Sequence, residues 1–174
     1  MSKFKKILIF TILFFSTANI SHAELPYYLD FKYILNESDA GKKAQIELKK
    51  KLDTGLKSIT DREKKLQNDE KKIIEQKKIV SPDEYKKKVT ELRTKVLNLQ
   101  KDRNKLLETV AKQRKNARNI LLKNLNPIIK DYMIEKKIRY VMDKKSLILA
   151  DENLDITKPI MSLLNKKLKS IKIN

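Results

Sequence analysis

The stretch SPDEYKKKVTELRTKVLNLQKDRNKLLETVAKQRKNARNILLKNLN, residues 81–126, decides the fold. Within it Tyr85, Val89, Leu92, Val96, Leu99, Arg103, Leu106, Val110, Gln113, Ala117, Ile120 and Asn124 recur in alternating steps of four and three, with three polar interruptions. That is the spacing of a coiled-coil seam, and it is longer than a short globular helix needs. Upstream the same repeat runs more sparsely through Leu52, Ile59, Leu66 and Ile73, with Leu48 and Leu56 beside it. Gly55 and Pro82 are the one glycine and the one proline between Lys42 and Asn126. The spacing therefore predicts an antiparallel helical hairpin over residues 41–126, with its turn near 80–82.

The turn carries its own signals. Ser81 can cap the next helix, Pro82 suits the first helical position, and Glu84 can reach back as the third residue of a capping box. Folding back about this point pairs residues whose numbers sum to roughly 162. Ile73 then meets Val89, Leu66 meets Val96, Leu56 meets Leu106 and Leu52 meets Val110. Three layers are mismatched: Glu70 faces Leu92, Glu63 faces Leu99 and Ile59 faces Arg103. A weakly packed arm is expected, with Leu92, Leu99 and Ile59 partly exposed. Gly55, which weakens a helix by about 1 kcal/mol relative to alanine, is a candidate hinge.

Ahead of the arm, Lys3, Lys5 and Lys6 precede an apolar run from Ile7 to Phe15, and Ser21-His22-Ala23 places small residues before a cut between Ala23 and Glu24. This is the layout of a secretory signal peptide over residues 1–23, with an apolar run shorter than the roughly 20 residues of a membrane span. His22, the single histidine, leaves with it, and the chain has no cysteine or tryptophan. An exported chain without cysteine cannot rely on disulfides. Without histidine or thiol it also lacks the usual general base, nucleophile and soft metal ligands, so neither catalysis nor a cofactor is expected. Asp151, Glu152 and Asp155 cluster, but they read better as a loop leading to a cap at Thr157, with Pro159 in the first turn.

Charge is uneven. The chain holds 41 basic and 22 acidic residues, and Gly41 to Asn126 alone contains 26 basic against 12 acidic, a formal +14. A field of that size favours an acidic or anionic partner. Export argues against nucleic acid and leaves anionic lipid, lipopolysaccharide or polypeptide. Lysine outnumbers arginine 35 to 6, so part of the excess reflects lysine as a default surface residue.

The flanks, residues 24–40 and 127–174, read as a small β-rich body, giving an α+β class. Tyr27 to Leu35 alternates as a strand, Asn36 to Asp39 forms a capping loop, and Asn126-Pro127 is expected to break or kink the second long helix. A further helical stretch follows from Ile128 to about Lys137. Ile138–Met142 and Leu147–Ala150 read as a β-hairpin around Asp143-Lys144-Lys145-Ser146, and Lys158 to about Lys169 as a last amphipathic helix. A body so small is expected to bury further surface against copies of itself.

Several pieces resemble the Skp/OmpH family of periplasmic chaperones. They are the first strand Tyr28-Leu29-Asp30-Phe31-Lys32-Tyr33-Ile34-Leu35 leading to Gly41-Lys42, the charged hairpin, Arg139-Tyr140-Val141-Met142-Asp143, and Leu154-Asp155-Ile156-Thr157 before a terminal helix. The resemblance implies a jellyfish-shaped homotrimer whose arms surround a cavity and hold unfolded outer-membrane proteins without nucleotide in the periplasm. On the arm, Ile59, Ile73, Ile79, Val80, Tyr85, Leu92 and Leu99, with Lys86, Lys87 and Lys88, are the candidate client contacts. Two other classes compete: a coiled-coil spacer of the envelope, and a basic module for anionic lipid or lipopolysaccharide.

Overall fold

The computed structural model describes residues 25–173; the signal peptide expected over residues 1–23 and its expected cleavage after Ala23 lie outside the described residues. The chain starts with strand β1 (Tyr27–Leu29), then helix α1 (Phe31–Glu37) and the long helices α2 (Asp39–Gln76) and α3 (Pro82–Glu135). Strand β2 (Val141–Asp143), two 3-10 turns (Lys144–Ser146 and Glu152–Leu154) and helix α4 (Thr157–Lys167) complete it.

Helices α2 and α3 form the expected antiparallel hairpin. At 1.5 Å per residue, the 38 residues of α2 extend about 57 Å. Arg62 pairs with Asp102 at 2.7 Å and Lys88 with Gln76 at 2.8 Å, residue numbers that sum to 164, two off the sequence estimate. Ser81 caps α3 by accepting from the Glu84 amide at 3.3 Å, and Pro82 is the first helical residue. The Glu84 carboxylate does not close the capping box; it pairs with Lys88 at 3.1 Å.

The expected strand over Tyr27–Leu35 ends at Leu29. Asp30 caps a helix instead, accepting from the Tyr33 amide at 2.7 Å, and Ile34 goes into the core. Alternation of Leu29, Phe31 and Tyr33 was a coincidence of period: Phe31, Ile34, Leu35 and Ser38 fit a helix equally well, and the aspartate cap decides. Ser38 then caps α2 by accepting from the Gly41 amide at 3.2 Å. A Cβ on Gly41 would run into the Leu35 carbonyl oxygen. Glycine is needed here because α1 and α2 meet backbone to backbone.

Pro127 does not break the second long helix, which continues to Glu135. An interior proline costs about 3 kcal/mol. Burial of Leu125, Ile128 and Ile129 on either side of it holds the helix in register across the lost hydrogen bond. Without a glycine, α3 ends by placing Lys137 in the left-handed region (φ 55), while the Ile138 amide donates to Met133 O at 2.8 Å.

The expected β-hairpin is not formed either. Strand β2 pairs with β1, in parallel, with Tyr27 opposite Val141 and Leu29 opposite Asp143. Parallel neighbours need a long crossover, and the whole helical arm is that crossover. Asp143 accepts from the Lys145 amide at 3.2 Å and turns the chain into a 3-10 segment, so Leu147–Ala150 lies outside any strand. The described body is therefore helix-rich, not β-rich: one pair of three-residue strands against α1, the end of α3 and α4. Its core joins Leu29, Ile34, Leu125, Ile128, Ile129, Ile156, Ile160 and Leu164.

Asp155 locks α4 to this core. Its carboxylate accepts from the Thr157 amide at 2.8 Å and binds Lys144 Nζ at 3.1 Å, while Thr157 Oγ1 takes the Asp30 amide at 2.9 Å. The cap expected from Thr157 is thus supplied by Asp155. Burial pushes the Asp155 carboxyl up, but the hydroxyl and amide of Thr157 and the Lys144 ammonium outweigh it and hold it below its ordinary value.

Gly41→Ala destabilises the protein by about 1–3 kcal/mol, because a backbone carbonyl cannot yield. Gly55→Ala is close to neutral, since the obstacle there is the flexible Leu106 side chain and alanine favours the helix by about 1 kcal/mol; parallel urea melts measure the difference. A depressed carboxyl contributes stability that is present above its unfolded value, about 3.9, and is lost as pH falls through the lower folded value. The melting-temperature gap between the wild type and Asp155→Asn is therefore expected to be widest at neutral pH and to close in acid.

Candidate functional site: the helical arm

The arm is a ladder of layers, and their quality varies along its length. Near the root Leu48, Val110 and Ala117 are buried. One step outward, Leu106 seats against Gly55 so closely that an added Cβ would lie 2.5 Å from a Leu106 methyl. Gly55 is thus a packing site inside an unbroken helix.

The mismatched layers resolve in two ways. Arg103 does not stay opposite Ile59; it turns to Glu63 at 3.5 Å, beside the Arg62–Asp102 pair. Ile59 and Leu99 are then buried, at 6% and 5% exposure, contrary to the expectation that mismatch would expose them. Farther out there is no such remedy. A groove of about 620 Å³ opens between the helices, lined by Leu66, Leu92, Val96, Leu97 and Leu99 with Glu63, Glu70 and Arg93 among the polar residues around it. Carboxylates cannot fill an apolar layer, and the seam residue Val96 remains 49% exposed; Leu97, outside the seam at the edge of the same groove, is 63% exposed.

Of the other sequence candidates, Ile73, Val80, Tyr85 and Leu92 are half-buried, Lys86 and Lys87 are exposed, and Ile79 at the tip is 82% exposed. Lys88 is held back by Gln76 and Glu84. Periodicity missed Ile46, Ile74, Leu97 and Leu107, all exposed on the arm. Their signal was there: each is a large apolar residue outside the seam.

At the body end, Ile148 and Leu149 are almost fully exposed, beyond the 3-10 segment Lys144–Ser146 that follows strand β2. Asp151 caps a 3-10 turn through the Asn153 amide at 2.9 Å, and Asp155 is engaged as described. Among the described residues no acidic group is arranged to hold a metal ion, and no helix is long and apolar enough to cross a membrane.

A small mixed body carrying one long antiparallel helical hairpin is the architecture these elements define. The family model for outer membrane protein (OmpH-like) matches residues 27–164, and the chain belongs to that family. Its fold is similar to the crystal structure of a proposed OmpH-like outer membrane chaperone from Caulobacter crescentus CB15. The TM-score is 0.79 at 20% identity, covering 86% of this chain and 90% of that one. No curated protein matches the sequence.

Closing the hollow layer tests its origin. Glu70→Leu is expected to stabilise the arm by about 1 kcal/mol through added apolar burial, and to lower the fluorescence of a bound apolar dye; unchanged dye binding would place the accessible surface elsewhere.

Proposed function

We propose that the protein is an ATP-independent holdase of the periplasm that keeps unfolded outer-membrane β-barrel proteins soluble between its basic arms. It acts by binding, without catalysis and without a cofactor. Membership of the OmpH-like family supports a chaperone of the envelope. The single observation that carries the mechanism is the open mid-arm groove with Val96 and Leu97 at its edge, on an arm of formal charge +14.

An unfolded barrel alternates apolar and polar residues, so it offers many small apolar side chains and no continuous apolar face. Weak, repeated contacts suit it better than one deep pocket. The arm supplies them as isolated exposed residues, Ile74, Ile79, Val96 and Leu97, set among lysines whose methylene stems are apolar and whose heads stay wet. Of the ten candidate contacts, Ile79, Lys86 and Lys87 are reachable as they stand, Ile73, Val80, Tyr85, Lys88 and Leu92 in part; Ile59 and Leu99 act from inside as packing. Bending at Gly55, with Leu106 sliding off it, is the proposed way for the arm to follow clients of different size.

The body is proposed to form a homotrimeric hub. Exposure of Ile148 and Leu149, in the segment that follows β2 and its 3-10 turn, supports association of copies there.

Size-exclusion chromatography with light scattering tests the proposal on mature protein mixed with a urea-unfolded barrel diluted without ATP. A trimer that moves to trimer plus client is expected, and Val96→Ser with Leu97→Ser should cut the soluble client several-fold. An unshifted peak with precipitated barrel would point to a spacer, and salt-abolished binding of vesicles alone to a lipid-binding module.

A further inference from the structure

A second groove, of about 590 Å³, lies at the root of the arm, where α1, the first turns of α2, the middle of α3 and the end of β2 converge. Ala44, Leu48, Ala117 and Leu121 form its apolar floor, with Phe31 and Leu35 as a wall. Arg114 and Arg118, one helical turn apart on α3, line it together with Lys32. No acidic group among the described residues pairs with these three cations. Lys145, also on the rim, is already matched by Asp143 at 3.2 Å.

Arginine is scarce here, six residues against 35 lysines. Arg62 and Arg103 tie the two limbs of the arm together. Two guanidinium groups, one turn apart and without a carboxylate, are in contrast a ready fork for one. On the lining of the same groove, Gln45 Nε2 donates to Asn36 Oδ1 at 2.7 Å, which fixes the two amides and leaves the Asn36 nitrogen and the Gln45 carbonyl oxygen with hydrogen-bonding capacity. A donor beside an acceptor suits a peptide backbone, which presents both; an acyl chain presents neither.

We propose that this groove binds an acidic segment of another polypeptide, with an apolar side chain on the floor and a neighbouring carboxylate on Arg114 and Arg118. The site is separate from the mid-arm groove and does not depend on the holdase reading. If that reading holds, the root groove anchors acidic stretches of a client that the mid-arm contacts do not select.

Fluorescence anisotropy on the full mature protein tests it, with a labelled peptide of about twelve residues that alternates leucine with aspartate and glutamate. Saturable binding is expected, weakened on the order of tenfold in Arg114→Gln/Arg118→Gln, with melting temperature and mass unchanged. The double lysine variant should recover only part of it, and Val96→Ser/Leu97→Ser none of the loss. A peptide with lysine in place of the acids should not bind. Equal binding by the glutamine variant or by the lysine peptide would overturn the proposal. So would competition by phosphatidylglycerol vesicles that bind better than the peptide, which would make the site a lipid site, or a change of mass in the glutamine variant, which would make the groove a contact between copies.

Discussion

Burial of Leu125, Ile128 and Ile129 from the returning helix against Leu29, Ile34, Ile160 and Leu164 is the constraint on which the rest depends. These residues come from both ends of the chain. Only when α2 and α3 have run out and back can β1 meet β2, and only then does α4 find its apolar partners. The core is small, so the crossover cannot be loose; a flexible connection of the same length would set a closure entropy against few contacts. A stiff helical hairpin delivers the two ends at a fixed separation. The same stiffness lets α3 carry Pro127 in its interior, because both flanks of the proline are anchored in the core.

On the proposed function, the arm serves two demands that conflict. Seam packing asks for apolar layers, while a surface able to hold other chains must leave apolar groups within reach. The sequence meets both by varying the layers along the arm's length. Root layers are tight, with Gly55 removing a side chain so that Leu106 can approach. Charged layers at Arg62, Glu63, Asp102 and Arg103 satisfy themselves at the surface, where such pairs contribute about 0–1 kcal/mol each. Beyond them Glu70 leaves a layer unfilled.

Long elements and their caps were legible in the sequence because their signals are local and repeated. The seam from Tyr85 to Asn124, the Ser81 cap, and the capping stretch at Asn36 to Asp39, within which Ser38 is the cap, all depend on residues within one or two turns of each other. What was misread depended on distant partners. Residues 27–35 satisfy both a strand period and a helix period, and the choice falls to the Asp30 cap and to Ile34 entering a core built largely by α3 and α4. Leu147–Ala150 has the composition of a strand, yet no edge in the described single chain receives it. Register alone leaves Ile59 and Leu99 partly exposed; Arg103 turning toward Glu63 alters their surroundings, a side-chain choice that spacing does not encode.

Charge and apolar contact act over different ranges, and on the proposed function this orders how the arm would meet another chain. At physiological ionic strength the field of exposed lysines falls off within about 8 Å, a small part of the roughly 57 Å spanned by α2. The lysines therefore bias encounter and keep the arm hydrated, but they do not hold a partner at a fixed place. On the two proposals, retention falls to groups that make contact: the exposed apolar residues of the middle and tip, and at the root the Arg114 and Arg118 guanidinium groups. A partner gripped by the first kind is released little by salt, and one gripped by the second strongly, so the two ends of one arm can hold different parts of a chain with different sensitivities.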